Sequence, residues 1–153
     1  MLKNSRWFLL VLLLLVIDQA TKLLMVKYLG YNEPVFVLPF LNFTLIYNTG
    51  AAFSLASHAS GWQQWLFGGI ALVVSMALMV WIYQLPAKAW KSGLCFSMIL
   101  AGALGNLIDR VFHKHVIDFI QLHWEHYYFP VFNLADTWIT LGAFILIISL
   151  VRK

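Results

Sequence analysis

The chain has 153 residues, 62% hydrophobic and only 10% charged, with a mean hydropathy of +0.82. Soluble domains carry about 25% charged residues, so a water-soluble domain is excluded and the apolar excess must face lipid. The net charge of +4 does not point to nucleic acid, because the basic residues form no patch. They sit as Lys3/Arg6, Lys22/Lys27, Lys88/Lys91, Arg110/Lys114 and Arg152/Lys153, mostly flanking apolar runs, as in a membrane topology. The single cysteine, Cys95, excludes an internal disulfide and reads as a buried, inert thiol.

Four stretches are long and apolar enough to cross a bilayer, which takes about 20 residues in a helix. They are approximately 7–28, 62–85, 92–111 and 134–151. The first follows Lys3 and Arg6 like a secretory signal, but no small-residue cleavage site follows it, and Asp18 and Lys22 do. It reads as a retained helix. The expected fold is an all-α polytopic membrane protein of four transmembrane helices, with a small β-type amphipathic segment on the extracytoplasmic side. Residues 1–153 are expected to form a single integral-membrane domain, without repeats.

Lysine and arginine placement predicts the orientation. Basic residues mark the N-terminus, the loop with Lys88 and Lys91, and the C-terminus, whereas 29–61 has none. Both termini are therefore expected in the cytoplasm and the segments 29–61 and 112–133 outside. Arg110 and Lys114 weaken this bias without reversing it.

In the first outer segment, Asn42 to Asn48 alternates so that Phe43, Leu45 and Tyr47 share one face of a strand. Pro34 and Pro39 precede it, and Asn48-Thr49-Gly50 reads as a turn. The strand is expected to rest on the membrane–water interface, either as a simple interfacial loop or as a cover for a site. The second outer segment carries Trp124, Tyr127, Tyr128 and Phe129, an interfacial aromatic belt.

The chemistry is sought among six acids: Asp18, Glu33, Asp109, Asp118, Glu125 and Asp136. Carboxylates near the bilayer centre cost roughly 2.5 kcal/mol or more, so they usually face a protein interior and serve a function. Asp18 precedes Lys22 by four residues, the spacing of a same-face ion pair. Asn106, Asp109 and Arg110 share a helical face, as a polar cluster ending the third helix or as a substrate contact. A neighbouring cation keeps these two acids ionised and makes them poor catalysts.

Asp118 and Asp136 have no lysine or arginine within three residues. Apolar surroundings raise a carboxyl pKa, and a second carboxylate raises one of a pair further. Such a pair holds one proton and supplies both general base and general acid. Each acid also has a plainer reading. Asn133 and Asp136 are spaced like a helix capping box, and Asp118 suits an interfacial loop. Local residues leave both readings open.

Five motifs in order resemble lipoprotein signal peptidase, also called signal peptidase II, over nearly the whole chain. They are Asp18-Gln19-Ala20-Thr21-Lys22; Asn48-Thr49-Gly50-Ala51-Ala52-Phe53; Gly102-Ala103-Leu104-Gly105-Asn106-Leu107-Ile108-Asp109-Arg110; Val116-Ile117-Asp118-Phe119; and Phe132-Asn133-Leu134-Ala135-Asp136. Ala101, where glycine is common, and Ile117, where valine is common, are conservative departures. The resemblance implies that Asp118 and Asp136 are the catalytic dyad of an aspartyl endopeptidase. It implies supporting roles for Asp18, Lys22, Asn48, Gly50, Gly105, Asn106, Asp109, Arg110, Asn133 and Ala135. The implied substrate is a diacylglyceryl-modified prolipoprotein, cut just before the lipidated cysteine. The implied setting is the bacterial inner membrane, with the active site near the extracytoplasmic face.

No cofactor, metal or nucleic acid is expected, and a monomer is. His113, His115, His123 and His126 lie near Glu125, but no His-Glu-x-x-His pattern marks a metalloprotease. A serine elbow is missing. A proton-coupled transporter would also use buried acids, but it normally shows internal repeats and broken helices. A structural subunit without catalysis is the remaining alternative.

Overall fold

The computed structural model describes residues 4–50 and 62–151. Lys3, Ala51, Ala52, Phe53, Arg152 and Lys153 lie outside the described residues, and with them half of the second motif. The helices are α1 (Ser5–Tyr28), α2 (Trp62–Gln84), α3 (Trp90–His113) and α4 (Leu134–Val151). All four are long and apolar enough to span a membrane, and their bounds lie within two residues of those expected.

The helix α3 is the centre of the bundle, packing against α1, α2 and α4. More than half of its apolar stretch is buried, against less than a fifth in each of the others. Between helices in lipid, small residues do this work by letting backbones approach. A side chain at Gly102 would collide with the Ala135 carbonyl oxygen of α4, and one at Gly105 with the Asp18 carboxylate of α1. Val11, Leu78, Ile82, Leu100 and Ala101 form the apolar core where α1, α2 and α3 meet. At the far end of the bundle, the Asn4 amide donates to the carbonyls of Ile82 and Leu85, both at 3.0 Å, tying α1 to the end of α2.

The loops at the other end form an antiparallel sheet, β1 (Val35–Leu38), β2 (Leu41–Asn48), β3 (Val116–Trp124) and β4 (Tyr127–Tyr128), in that spatial order. The second outer segment is thus more than an aromatic belt, since it contains a nine-residue strand paired with β2. Its run of Val116, Ile117, Phe119 and Ile120 is β-branched and aromatic, the composition that suits a buried strand. The expected face of Phe43, Leu45 and Tyr47 is interrupted. A register shift between Phe43 and Ile46 breaks the alternation. Thr44 and Leu45 are both buried in consequence, while Tyr47 is exposed between Tyr31 and His115. The Thr44 hydroxyl lies 2.9 Å from Gln121 Oε1 across the strands.

Gly102→Leu should lower stability by about 1–3 kcal/mol through overpacking against α4. Thermal unfolding of the detergent-solubilised protein checks this, and an unchanged midpoint would contradict the packing.

Candidate active site

The site lies where α1, the end of α3, the start of α4 and the sheet converge. Its base is Lys22, whose side chain is only 1% exposed. Its Nζ sits 2.9 Å from Asp18 Oδ2 and 2.8 Å from Asp109 Oδ2, and donates to Asn106 Oδ1 at 3.2 Å. A charge taken out of water needs partners of this kind. The expected Asp18–Lys22 pair is present, but the cation beside Asp109 is Lys22 of α1, across the helix interface. The Arg110 guanidinium instead donates to the Asn106 carbonyl at 3.0 Å and lies over the Phe67 ring.

Each acid in this group also holds backbone from another element. Asp18 Oδ1 accepts from the Ala135 amide at 2.9 Å, one of the free N–H groups at the start of α4. Asp109 Oδ2 accepts from the Ile117 amide at 3.2 Å, anchoring β3 next to Asp118. Gln19, assigned no role from the sequence, donates to Asp109 at 3.0 Å and to the Gly105 carbonyl at 3.3 Å. Its only sequence signal was its place beside Asp18.

Above this base, two asparagines link Asp118 and Asp136. Asn133 Nδ2 donates to Asp118 Oδ1 at 2.7 Å and is 3.2 Å from Asn106 Oδ1. Asn106 Nδ2 donates to Asp136 Oδ1 at 2.8 Å. Asn48, at the end of β2, donates to Asp118 Oδ2 at 3.1 Å and accepts from the Gly50 amide at 2.9 Å. Gly50 has φ of 102°, a left-handed conformation that favours glycine, so the expected turn is present. The capping box is present too. Asn133 Oδ1 accepts from the Asp136 amide at 3.0 Å, and Asp136 Oδ2 from the Asn133 amide at 3.4 Å. Capping and membership of the acid cluster are therefore not alternatives, because one asparagine serves both.

Asp118 is 2% exposed. Burial, and then the charge of Asp136, push its carboxyl from the ordinary 3.8 up to about 7. The amide donors of Asn48 and Asn133 oppose that rise, as does Lys22, which is distant in sequence but near in space. Arg110 is also within electrostatic reach of Asp118 and Asp136. The histidines remain dispersed. His113 and His115 are 6.0 Å apart between ring centres, while His123 stacks on Tyr128. Among the described residues no group of three His, Cys, Asp or Glu side chains is placed to hold a metal ion.

Four membrane-length helices, with acids buried where they meet a small sheet, define a polytopic membrane protein with an internal acidic site. Comparison with known proteins narrows that class. The family model for signal peptidase (SPase) II matches residues 10–152. A lipoprotein signal peptidase of Tolumonas auensis is 45% identical over 150 residues, covering 97% of this chain and 92% of the relative. One from Acinetobacter baylyi is 46% identical over 146 residues, covering 95% and 82%. Two solved bacterial membrane enzyme structures, each 32% identical, superpose with TM-scores of 0.84 and 0.85. They cover 97% of this chain and 88% and 94% of theirs. The chain belongs to the signal peptidase II family.

Because the folded carboxyl of Asp118 holds its proton more tightly than the unfolded one, its contribution to stability is fully present below 3.8. That contribution is lost as pH rises through about 7. Unfolding midpoints measured from pH 5 to 8 should fall less steeply for Asp118→Asn than for the parent chain. Parallel curves would contradict the buried, proton-holding carboxyl.

Proposed function

We propose that the chain is an aspartyl endopeptidase that removes signal peptides from diacylglyceryl-modified prolipoproteins, with Asp118 and Asp136 as the catalytic dyad. The observation that carries this reading is the amide relay. Asn106 and Asn133 hydrogen-bond to each other and each donates to one of the two acids. Two carboxyls held in this way, one of them pushed up by burial, can share a proton at neutral pH.

In this mechanism Asp118 carries the proton at rest and Asp136 is ionised. Asp136 takes a proton from a bound water, whose oxygen attacks the scissile carbonyl. Asp118 donates a hydrogen bond and then its proton to the carbonyl oxygen, giving a tetrahedral diol. Collapse of the diol returns that hydroxyl proton to Asp118, and the proton held by Asp136 passes to the leaving nitrogen. The C–N bond breaks to give a carboxylic acid on the signal peptide and a free amine on the lipidated cysteine.

The remaining residues position these groups. Asn48, Asn106 and Asn133 orient the carboxyls, and Arg110 is a donor for substrate backbone. Gly50 permits the turn that brings Asn48 to Asp118. Lys22, Asp18, Asp109, Gly105 and Ala135 hold α1, α3 and α4 in register beneath. The sheet covers the site and binds the residues after the cysteine.

The whole chain acts as one domain and as a monomer in the bacterial inner membrane. Both termini are cytoplasmic and the site lies near the extracytoplasmic face, an orientation supported by the basic residues at the N-terminus, at Lys88 and Lys91 and at the C-terminus, against none in 29–61. A substrate helix and its lipid, both within the bilayer, can then enter sideways between helices. No metal or cofactor takes part.

Asp118→Asn and Asp136→Asn should each lower cleavage of a lipidated precursor by roughly a hundredfold or more, with the variants still folded in the membrane. A gel shift of the purified precursor reads this, and brisk turnover by both variants would refute the dyad. Excess chelator should leave the rate unchanged. Loss of the Asp118 proton should make cleavage decline as pH rises through about 7. A rate that climbs across that range would contradict the assignment of the proton to Asp118.

A further inference from the structure

The ten basic and six acidic side chains are divided unequally between the two ends of the bundle. All six acids lie towards the sheet end. Asp18, Asp109, Asp118 and Asp136 belong to the site described above, Glu33 precedes β1, and Glu125 lies between β3 and β4. The other end has Lys3 and Arg6 at the start of the chain, Lys88 and Lys91 where α2 gives way to α3, and Arg152 and Lys153 after α4 in the sequence. The chain supplies no acidic side chain there to pair with them. Cations gathered at a membrane surface without counter-charges draw anions from outside the protein.

A cavity opens at that same end. Apart from the cavity at Asp136, which belongs to the active site proposed above, a second one of about 660 Å³ lies between the start of α3 and the last turns of α4. Lys88, Trp90 and Lys91 line it where the helices end, and Leu94, Ile145 and Ile148 line it a turn or more further into the bundle. Its wall is thus charged at the membrane surface and apolar beneath. Lys88 and Lys91 are both exposed, and among the described residues neither forms an ion pair. The Lys91 ammonium stands 5.8 Å from the centre of the Trp90 ring. No side chain caps α3 here, so the positive end of its dipole adds to the two lysines.

We propose that this second cavity binds one phospholipid of net negative charge, its phosphate held by Lys88 and Lys91 and its first acyl methylenes packed on Leu94, Ile145 and Ile148. A basic pocket between membrane spans suits an anionic headgroup, and a lysine holds phosphate as a point charge. A zwitterionic lipid has the same phosphate but brings a cation of its own, which two lysines repel. Free phosphate has no chains to cover the apolar wall. An acidic peptide would set backbone polar groups against that wall, at a cost in desolvation. The inference stands apart from the catalytic reading, because no residue of the acid cluster takes part in it.

The test titrates lipid into the full chain in an uncharged detergent and counts bound molecules by mass spectrometry of the intact complex. Phosphatidylglycerol should bind roughly tenfold more tightly than phosphatidylcholine with the same acyl chains. Lys88→Gln combined with Lys91→Gln should erase that preference. Lys27→Gln combined with Lys114→Gln removes as much charge at the sheet end, beyond the reach of screened interactions, and should leave the preference within about twofold. Ile148→Trp narrows the apolar part of the cavity with both lysines intact, and it should weaken phosphatidylglycerol binding several-fold. Equal binding of the two lipids would overturn the proposal, as would a preference that survives the Lys88 and Lys91 substitutions. An equal loss with the Lys27 and Lys114 pair, or an unchanged affinity with Ile148→Trp, would point to a diffuse field in place of a site and overturn it too. Displacement of the lipid by inorganic phosphate or by a glutamate-rich peptide at similar concentration would assign the cavity to another occupant, with the same consequence.

Discussion

The buried ammonium of Lys22 is the constraint around which the rest is arranged. It is closed off from solvent in a bundle whose outer surface is apolar. Its cost is offset by Asp18, Asp109 and Asn106 together. Those three residues come from two helices, so satisfying one charge also sets the register of α1 on α3. The second oxygen of Asp18 then reaches α4, and the second role of Asp109 is to hold β3. One cation thus orders four elements.

Above that base, polar satisfaction and chemistry become the same problem. A helix that begins inside a bundle must cap its own N-terminus, and Asn133 does so while its amide nitrogen binds Asp118. Asn106 leans on Lys22 with its oxygen and on Asp136 with its nitrogen. Each amide is used at both ends. A carboxyl placed in such a network has little rotational freedom, which suits a group proposed to exchange protons at a fixed point. It also explains why Asp118 can be so deeply buried without a direct ion pair among the described residues.

The sheet adds what helices alone could not supply. Its strands come from the two loops at one end of the bundle, so pairing β2 with β3 brings Asn48 to Asp118 across 70 residues of sequence. The register shift in β2 bends the strand next to this contact. Beyond it, the aromatic end of β3 and β4 stands out from the fold and forms one wall of the cavity at Asp136.

Much of this was legible in the chain itself. Hydropathy placed four helices to within two residues, because membrane thickness demands a long apolar run whatever its neighbours are. The i to i+4 spacing gave the Asp18–Lys22 pair, Asn133 and Asp136 announced a cap, and the motifs singled out the family. These are local or one-dimensional signals. What the tertiary structure decided is which distant groups meet. The chain shows no cation within three residues of Asp118, yet Lys22 lies near it. Asp109 adjoins Arg110 but pairs with Lys22, and a segment read as an aromatic belt also contains a strand. The physical reason is that a strand or an ion pair is completed by a partner elsewhere in the sequence, and only close packing brings that partner within reach.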